Sequence, residues 1–196
     1  MRGQFIYGCA AILAVATAFP FFWMISTSFK PLQEIFVFPP NFFPAEFTMK
    51  NFERLFEQTR FLTYFKNSVF VSFTTVVLTM IIGSAGAYSL TRFKFYGREK
   101  IASLILFTYM FAPIMIVIPF YVLIKKIGLA NTHAALIMAY TAFCLPFSLW
   151  LLRTFFQSIP LALEKAALID GASRLEAVIY VVLPLALPGI IATGIF

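Results

Sequence analysis

The stretch Glu164-Lys165-Ala166-Ala167-Leu168-Ile169-Asp170-Gly171-Ala172-Ser173 is a charge-bearing run of small residues in a chain that otherwise reads as membrane. Ahead of it, Ser158-Ile159-Pro160 offers a cap and a helix-starting proline, and Leu161 to Ile169 holds good helix formers without glycine. The spacing predicts a short helix of roughly 15 Å, at about 1.5 Å per residue. Asp170-Gly171 is a turn dipeptide that stops it, with Asp170 expected to hold the turn through its own side chain. Ser173 and Glu176, three residues apart, form a capping box that starts a second helix. The stripe Leu175, Val178, Ile179 and Val182 places that second arm along a membrane face, with a further apolar stretch opening at Pro184 and Pro188. The motif is a helix-turn-helix hairpin between two apolar spans.

Outward from the hairpin, the composition sets the class. Apolar residues make up 61% of the chain, charged ones 12%, and the mean hydropathy is +0.91, values outside the range of soluble globular domains. The chain is predicted to be an all-α, polytopic membrane protein. A net charge of +7 could suggest nucleic acid, but the basic residues are scattered between apolar runs and form no stripe. Cys9 and Cys144 both lie in apolar runs and read as small fillers, with no disulfide framework or metal site.

Four complete spans and the start of a fifth are expected. Gly3 to Phe29 carries no charge and exceeds the roughly 20 residues that cross a bilayer, with Trp23 and Lys30 read as interface residues at its end. The run is too long for the core of a cleaved signal peptide, so it is expected to be retained. In the polar segment that follows, Pro39, Pro40 and Pro44 keep the chain extended, and Thr48 is expected to cap an amphipathic helix. Phe52, Leu55, Phe56 and Thr59 form one face of that helix, opposite Lys50, Glu53, Arg54 and Glu57. Asn67 to Thr91 is the second span, with Gly83 to Ala87 as a cluster of small packing residues. Ile101 to Ile124 is the third, Ala134 to Leu152 the fourth, and the fifth begins at Pro184 and is still incomplete at Phe196. Pro113, Pro119 and Pro146 fall inside spans, where proline is tolerated if the helix lines protein or a cavity, and are candidates to line a pathway. His133 has no carboxylate or second ligand nearby and reads as a loop residue.

Catalytic constellations do not assemble. No Ser-His-Asp set, paired intramembrane carboxylates, Cys/His cluster or Gly-rich phosphate loop is present, and the spans lack Asp, Glu, Lys and Arg. An ion-coupled carrier usually places ionisable groups at midplane, so the energy for any transport would have to enter from a partner. A channel or secondary carrier for a small solute is the alternative. Charge alone does not orient the chain: odd spans running outward put eight basic residues inside and seven outside, though the short loop holding Arg92, Lys94, Arg98 and Lys100 is a dense inside signal.

The order Pro160, Glu164, Ala166-Ala167, Asp170-Gly171-Ala172, Leu183-Pro184 and Pro188-Gly189 resembles the EAA loop of ABC importer permeases, of the carbohydrate (maltose-type) group and its smaller permease. The resemblance covers nearly the whole chain. It implies a type-1 transmembrane core over 65–196, after a first helix and extracytoplasmic segment over 1–64, with the C-terminal part missing. It also implies a cytoplasmic coupling loop over 153–183, whose contacts to an ATPase are carried by Glu164, Lys165, Ala166, Ala167, Asp170 and Gly171. The implied partners are a second permease, two ATP-binding subunits, an extracytoplasmic solute-binding protein and membrane lipid, with no cofactor of the chain's own. The implied location is the bacterial plasma membrane, with a cytoplasmic N-terminus. The chain departs from the family pattern at Lys165, which stands where the family has its glutamate, with Glu164 one place earlier.

Overall fold

The computed structural model describes residues 2–110 and 113–196, with side chains for 6–110 and 115–196. Among them the regular structure is helical, in two compact units, 1–66 and 67–196.

In the first unit, α1 (Arg2–Ser28) is apolar all round and exposed over most of its length. It is followed by α2 (Leu32–Ile35) and the amphipathic α3 (Lys50–Gln58), whose N-cap is Met49 and not the expected Thr48; among the described residues the Thr48 hydroxyl accepts only from the Lys50 amide at 3.3 Å. Polar contacts hold α2, α3 and the loop between them together and to the end of α1. Asn51 donates to the Ser28 and Lys30 carbonyls at 3.0 and 2.8 Å, and the Glu34 carboxylate accepts from the Ala45 amide at 2.9 Å. Lys30, expected to reach toward an interface, is buried instead: its ammonium lies 4.7 Å from the Trp23 ring centroid and donates to the Asn41 carbonyl. The cation–π contact and the carbonyl replace water around the charge. In α3, Phe52 packs on Phe29 and Phe56 on Phe61, the apolar face anticipated from its periodicity.

The second unit is built on α4 (Phe61–Arg92), α5 (Arg98–Tyr109), α6 (Pro113–Lys126), α7 (His133–Ser158), α8 (Leu161–Ile169), α9 (Arg174–Ala177) and α10 (Leu183–Ile195). The boundary between the two units falls along the chain within α4, after Lys66. Among the described residues, four helical stretches are long and apolar enough to cross a membrane: Ile6–Ser28, Phe61–Arg92, His133–Ser158 and Arg174–Ile195. Two boundaries differ from the expected ones. The third apolar run is divided, because Pro113 has no N–H to offer the Tyr109 carbonyl and a helix stops there while another starts at the proline. The hairpin's second arm does not lie apart from the fifth stretch; α9 continues into α10 through a π-helical turn, Val178–Val182. Pro184 again lacks a donor, and the wider turn, with the Leu183 amide on the Val178 carbonyl, carries the helix past it.

Packing in this unit uses close backbone approach. A Cβ on Gly86 would stand 2.8 Å from a Leu149 methyl, and one on Gly189 would stand 2.3 Å from the Phe155 ring. Both helices flanking α7 therefore approach it where a side chain is missing, the small-residue packing expected in lipid. The core is gathered near the Arg92 end of α4: Ala87, Leu90, Leu149, Leu152, Phe156, Ile159, Val182 and Ala186 are buried there.

Candidate functional site: the α8 hairpin and its junction with α4

The hairpin is defined by backbone bonds. Gly171, at φ +94°, follows the end of α8; its amide donates to the Leu168 carbonyl at 3.3 Å and the Ala172 amide to the Ala167 carbonyl at 3.0 Å. That pair of bonds is a Schellman motif, in which glycine takes the left-handed position at little cost. The Asp170 side chain, expected to hold this turn, makes no hydrogen bond to it among the described residues; the backbone alone closes it. Ser158 likewise caps no helix start: its hydroxyl donates back to the Phe155 carbonyl at 2.7 Å, and Pro160 stands before α8. The capping box is present, with the Ser173 amide donating to the Glu176 carboxylate at 2.7 Å and the Glu176 amide to the Ser173 hydroxyl at 3.3 Å.

Along α8, Leu161, Ala162, Leu163, Lys165, Ala166, Leu168 and Ile169 are exposed and Ala167 is half-buried. The one buried residue is its most polar neighbour, Glu164, 5% exposed. Tyr88 and Arg92, one turn apart on α4, each take one carboxylate oxygen. The Tyr88 hydroxyl donates to Oε1 at 2.6 Å, and Arg92 Nε stands 3.0 Å from Oε2. The second contact is a charge contact without the alignment of a hydrogen bond, and neither atom has another partner among the described residues. Arg92 also donates through Nη2 to the Ile159 carbonyl at 3.1 Å, just past the end of α7. Tyr88 is fixed in turn by edge-on contacts with Phe93 and Phe156. A carboxylate in the first turn of a helix also sits favourably against its dipole. The result is a dry junction joining α4, α7 and α8.

A second ion pair links neighbouring helices nearby. Arg153 of α7 donates to Glu99 of α5 at 2.7 Å, and Arg98 reaches the other oxygen at 3.0 Å. The Arg153 guanidinium, with Arg98 adding to it, holds the Glu99 carboxyl below the usual carboxylate range, although the side chain is well exposed.

Beside the junction an apolar groove of about 690 Å³ runs between α4 and the α9–α10 helix, lined by Met80, Ile81, Ser84, Tyr88, Leu175 and Val178 among others. Arg174 lies at this groove and also stacks on Phe93, at 5.0 Å. Of the candidate pathway prolines, Pro119 is exposed within α6 and Pro146 is half-buried within α7, and the Pro113 side chain lies outside the described residues. His133 opens α7, its ring 5.8 Å from Phe70, and among the described residues no group of His, Cys, Asp and Glu could hold a metal ion.

The described residues thus form membrane-length helices joined by a hairpin that carries one short, mostly uncovered helix. Residues 91–196 match the family described as binding-protein-dependent transport system inner membrane component. The chain belongs to that family, the permeases of ABC importers. It is 34% identical over 188 residues to the inner membrane ABC transporter permease protein YcjP of Escherichia coli, covering 95% of this chain and 67% of that one. It is 35% identical to the trehalose/maltose transport system permease protein MalG of Thermococcus litoralis, again covering 95% of this chain and 67% of the relative. With the diacetylchitobiose uptake system permease protein DasC of Streptomyces coelicolor the identity is 33%, covering 95% and 68%. The fold is shared with a bacterial ABC transporter involved in import of the acidic polysaccharide alginate: TM-score 0.83 and 26% identity, covering 100% of this chain and 70% of that one. The chain thus spans about two thirds of the length of these relatives.

Glu164, expected among the coupling-loop residues, turns its side chain inward to Tyr88 and Arg92, a contact not anticipated from the sequence. The signal available was Tyr88 and Arg92 at i and i+4, a tyrosine and an arginine sharing one face at the end of an apolar span.

Proposed function

We propose that the chain is the membrane-spanning permease subunit of an importer that moves a carbohydrate across the plasma membrane, driven by ATP hydrolysis on a separate subunit that docks on α8. The observation that carries this reading is α8 itself. It is an apolar helix with one buried side chain, held at a glycine turn and a capping box, and it offers Leu161, Leu163, Leu168 and Ile169 to a partner. Small side chains at Ala162 and Ala166 suit close approach in a groove. Within the coupling loop, Lys165, Ala166, Ala167, Asp170 and Gly171 serve the docking surface and its turn, and Glu164 serves the inward side. Carbohydrate is supported by the sugars in the relatives' names, diacetylchitobiose and trehalose/maltose.

The partners in this reading are a second permease subunit, two ATP-binding subunits and an extracytoplasmic solute-binding protein. The N-terminus and the 153–183 loop face the cytoplasm. Residues 1–64 supply the first span and the extracytoplasmic segment, and 65–196 belong to the transport core, with Pro113, Pro119 and Pro146 as candidates to line its pathway. Single cysteines at Glu53 and Ser173, in a background lacking Cys9 and Cys144, then label with impermeant reagent from opposite sides.

The decisive test uses Gly171→Val and Ala167→Trp in the full-length protein with its partners. A Cβ at Gly171 meets no atom, so valine there acts through backbone strain alone, roughly 1 kcal/mol or more. Both variants are expected to insert normally yet lose ATPase association or transport per ATP hydrolysed, measured as uptake and hydrolysis in the same vesicles. Wild-type uptake and stoichiometry in both would remove α8 as the coupling element.

A further inference from the structure

The junction of Glu164 with Tyr88 and Arg92 has a geometry that simple anchoring of a loop does not require. Chain connectivity already ties α8 to α7 through Ser158–Pro160 and to α9 through the Gly171 turn. Neither link reaches α4, which lies 76 residues away in sequence at the Tyr88–Glu164 contact. The only charged side chain of α8 that is buried is nonetheless spent on α4, both of its oxygens engaged by residues one helical turn apart. Arg92 simultaneously holds the Ile159 carbonyl, so one guanidinium fixes the end of α7 and the start of α8 against the end of α4.

We infer that Tyr88, Arg92 and Glu164 form a clamp that makes α4 move with the docking helix, so that the force from the ATPase enters the bundle through α4 as well as through the covalently attached α7 and α9. They are positioning residues, acting through the helices they join. A buried carboxylate with its charge partner and a phenol hydrogen bond resists sliding, because any displacement leaves a charge unpaired in a dry site. The groove beside the junction has one wall on α4, through Met80, Ile81, Ser84 and Tyr88, and the other on Leu175, Val178 and Ile190. With the clamp intact, a shift of α8 changes both walls together. Without it, α4 is left behind.

This inference rests on the reading of α8 as the ATPase docking helix, and the test separates the two. The full-length permease is assembled with its partners in a background lacking Cys9 and Cys144, with Tyr88→Cys and Glu164→Cys. Uptake and ATP hydrolysis are measured in the same vesicles before and after bridging the two thiols with a short, membrane-permeant bis-thiosulfonate, and again after reduction. The unbridged pair is expected to retain the ATPase subunit and hydrolysis but to lose transport per ATP by about fivefold or more, the lower end of ordinary coupling factors. Bridging should restore the ratio and reduction should lose it again, a reversal that a general loss of stability does not produce. Normal coupling in the unbridged pair, or transport abolished on bridging, overturns the clamp. Should the double variant fail to assemble, Tyr88→Phe decides: it removes only the hydroxyl, and an unchanged ratio of uptake to hydrolysis refutes the inference. Absence of ATPase association in the parent protein itself would refute the docking reading instead.

Discussion

Glu164 and Glu99 each join helices near the Arg92 end of the bundle, each to an arginine from another helix, with N to O separations of 3.0 and 2.7 Å. Their surroundings differ. The Glu164 side chain is 6% exposed and its arginine 8%, whereas Glu99 is 64% exposed. In the first case both oxygens are engaged by protein and no solvent is at hand to take over if one partner leaves. In the second, water and Arg98 stand ready on the same carboxylate. Bond length therefore ranks the two pairs in the wrong order. The shorter contact is the replaceable one, since the strength of an ion pair in place depends on what would solvate its members after separation.

The largest effect expected from this contrast is that of Arg92→Ala. It leaves the Glu164 charge buried with only the Tyr88 hydroxyl, and should cost about 3–5 kcal/mol in unfolding of the full-length protein in detergent. Arg153→Ala, measured alongside, should shift the unfolding midpoint far less. Equal shifts would mean that burial does not separate the two junctions.

A smaller effect is expected from replacing the whole buried set, Tyr88→Phe with Arg92→Met and Glu164→Leu. Removing both charges also removes their desolvation penalty, and apolar side chains of similar size often match or exceed a buried pair in stability. The remaining deficit is the Ile159 carbonyl, which loses the Arg92 donor, about 1 kcal/mol. The triple variant should thus be markedly more stable than Arg92→Ala while still transporting poorly per ATP. A triple variant as unstable as the single one would show that the polar set itself holds the fold.

The contrast also marks what was legible in the sequence. The hairpin could be read because its determinants are local: Gly171 sits one residue past a helix end, and Ser173 and Glu176 are three apart. The apolar runs were legible for the same reason. Glu164 was not, since nothing within α8 tells which of Glu164 and Lys165 turns inward; that depends on Tyr88, 76 residues earlier. Lys30 departs from its interfacial expectation for a related reason, its ammonium being met by Trp23 of α1 and by Asn41 of the loop that folds back on it. Asp170 and Ser158 failed differently. Each has a side chain able to cap or turn, but backbone bonds close the Gly171 turn and Ser158 bonds within its own helix. The division of the third run at Pro113 was visible as a proline, but an apolar sequence alone does not say whether a proline kinks a helix or ends it.

The smallest effect belongs to Glu99, and its sign follows from its ionisation. Arg153 and Arg98 hold its carboxyl below the ordinary value of 4.5 in the folded protein, so the folded state binds this proton less readily than the unfolded chain. The pair's contribution is therefore fully present above pH 4.5, and is lost as pH falls below that value through the folded pKa. Glu99→Gln removes the charge at every pH. The variant should unfold at a slightly lower temperature than the parent at neutral pH, with the gap closing as both are acidified below the ordinary carboxylate value. Because Glu99 is exposed, added salt should narrow the neutral-pH gap as well, through screening of the charges. Unfolding midpoints of parent and variant across pH, at low and high salt, provide the measurement. A gap that persists unchanged in acid or in high salt would mean that Glu99 contributes through packing or a neutral hydrogen bond, and that the exposed junction is not the electrostatic counterpart of the buried one.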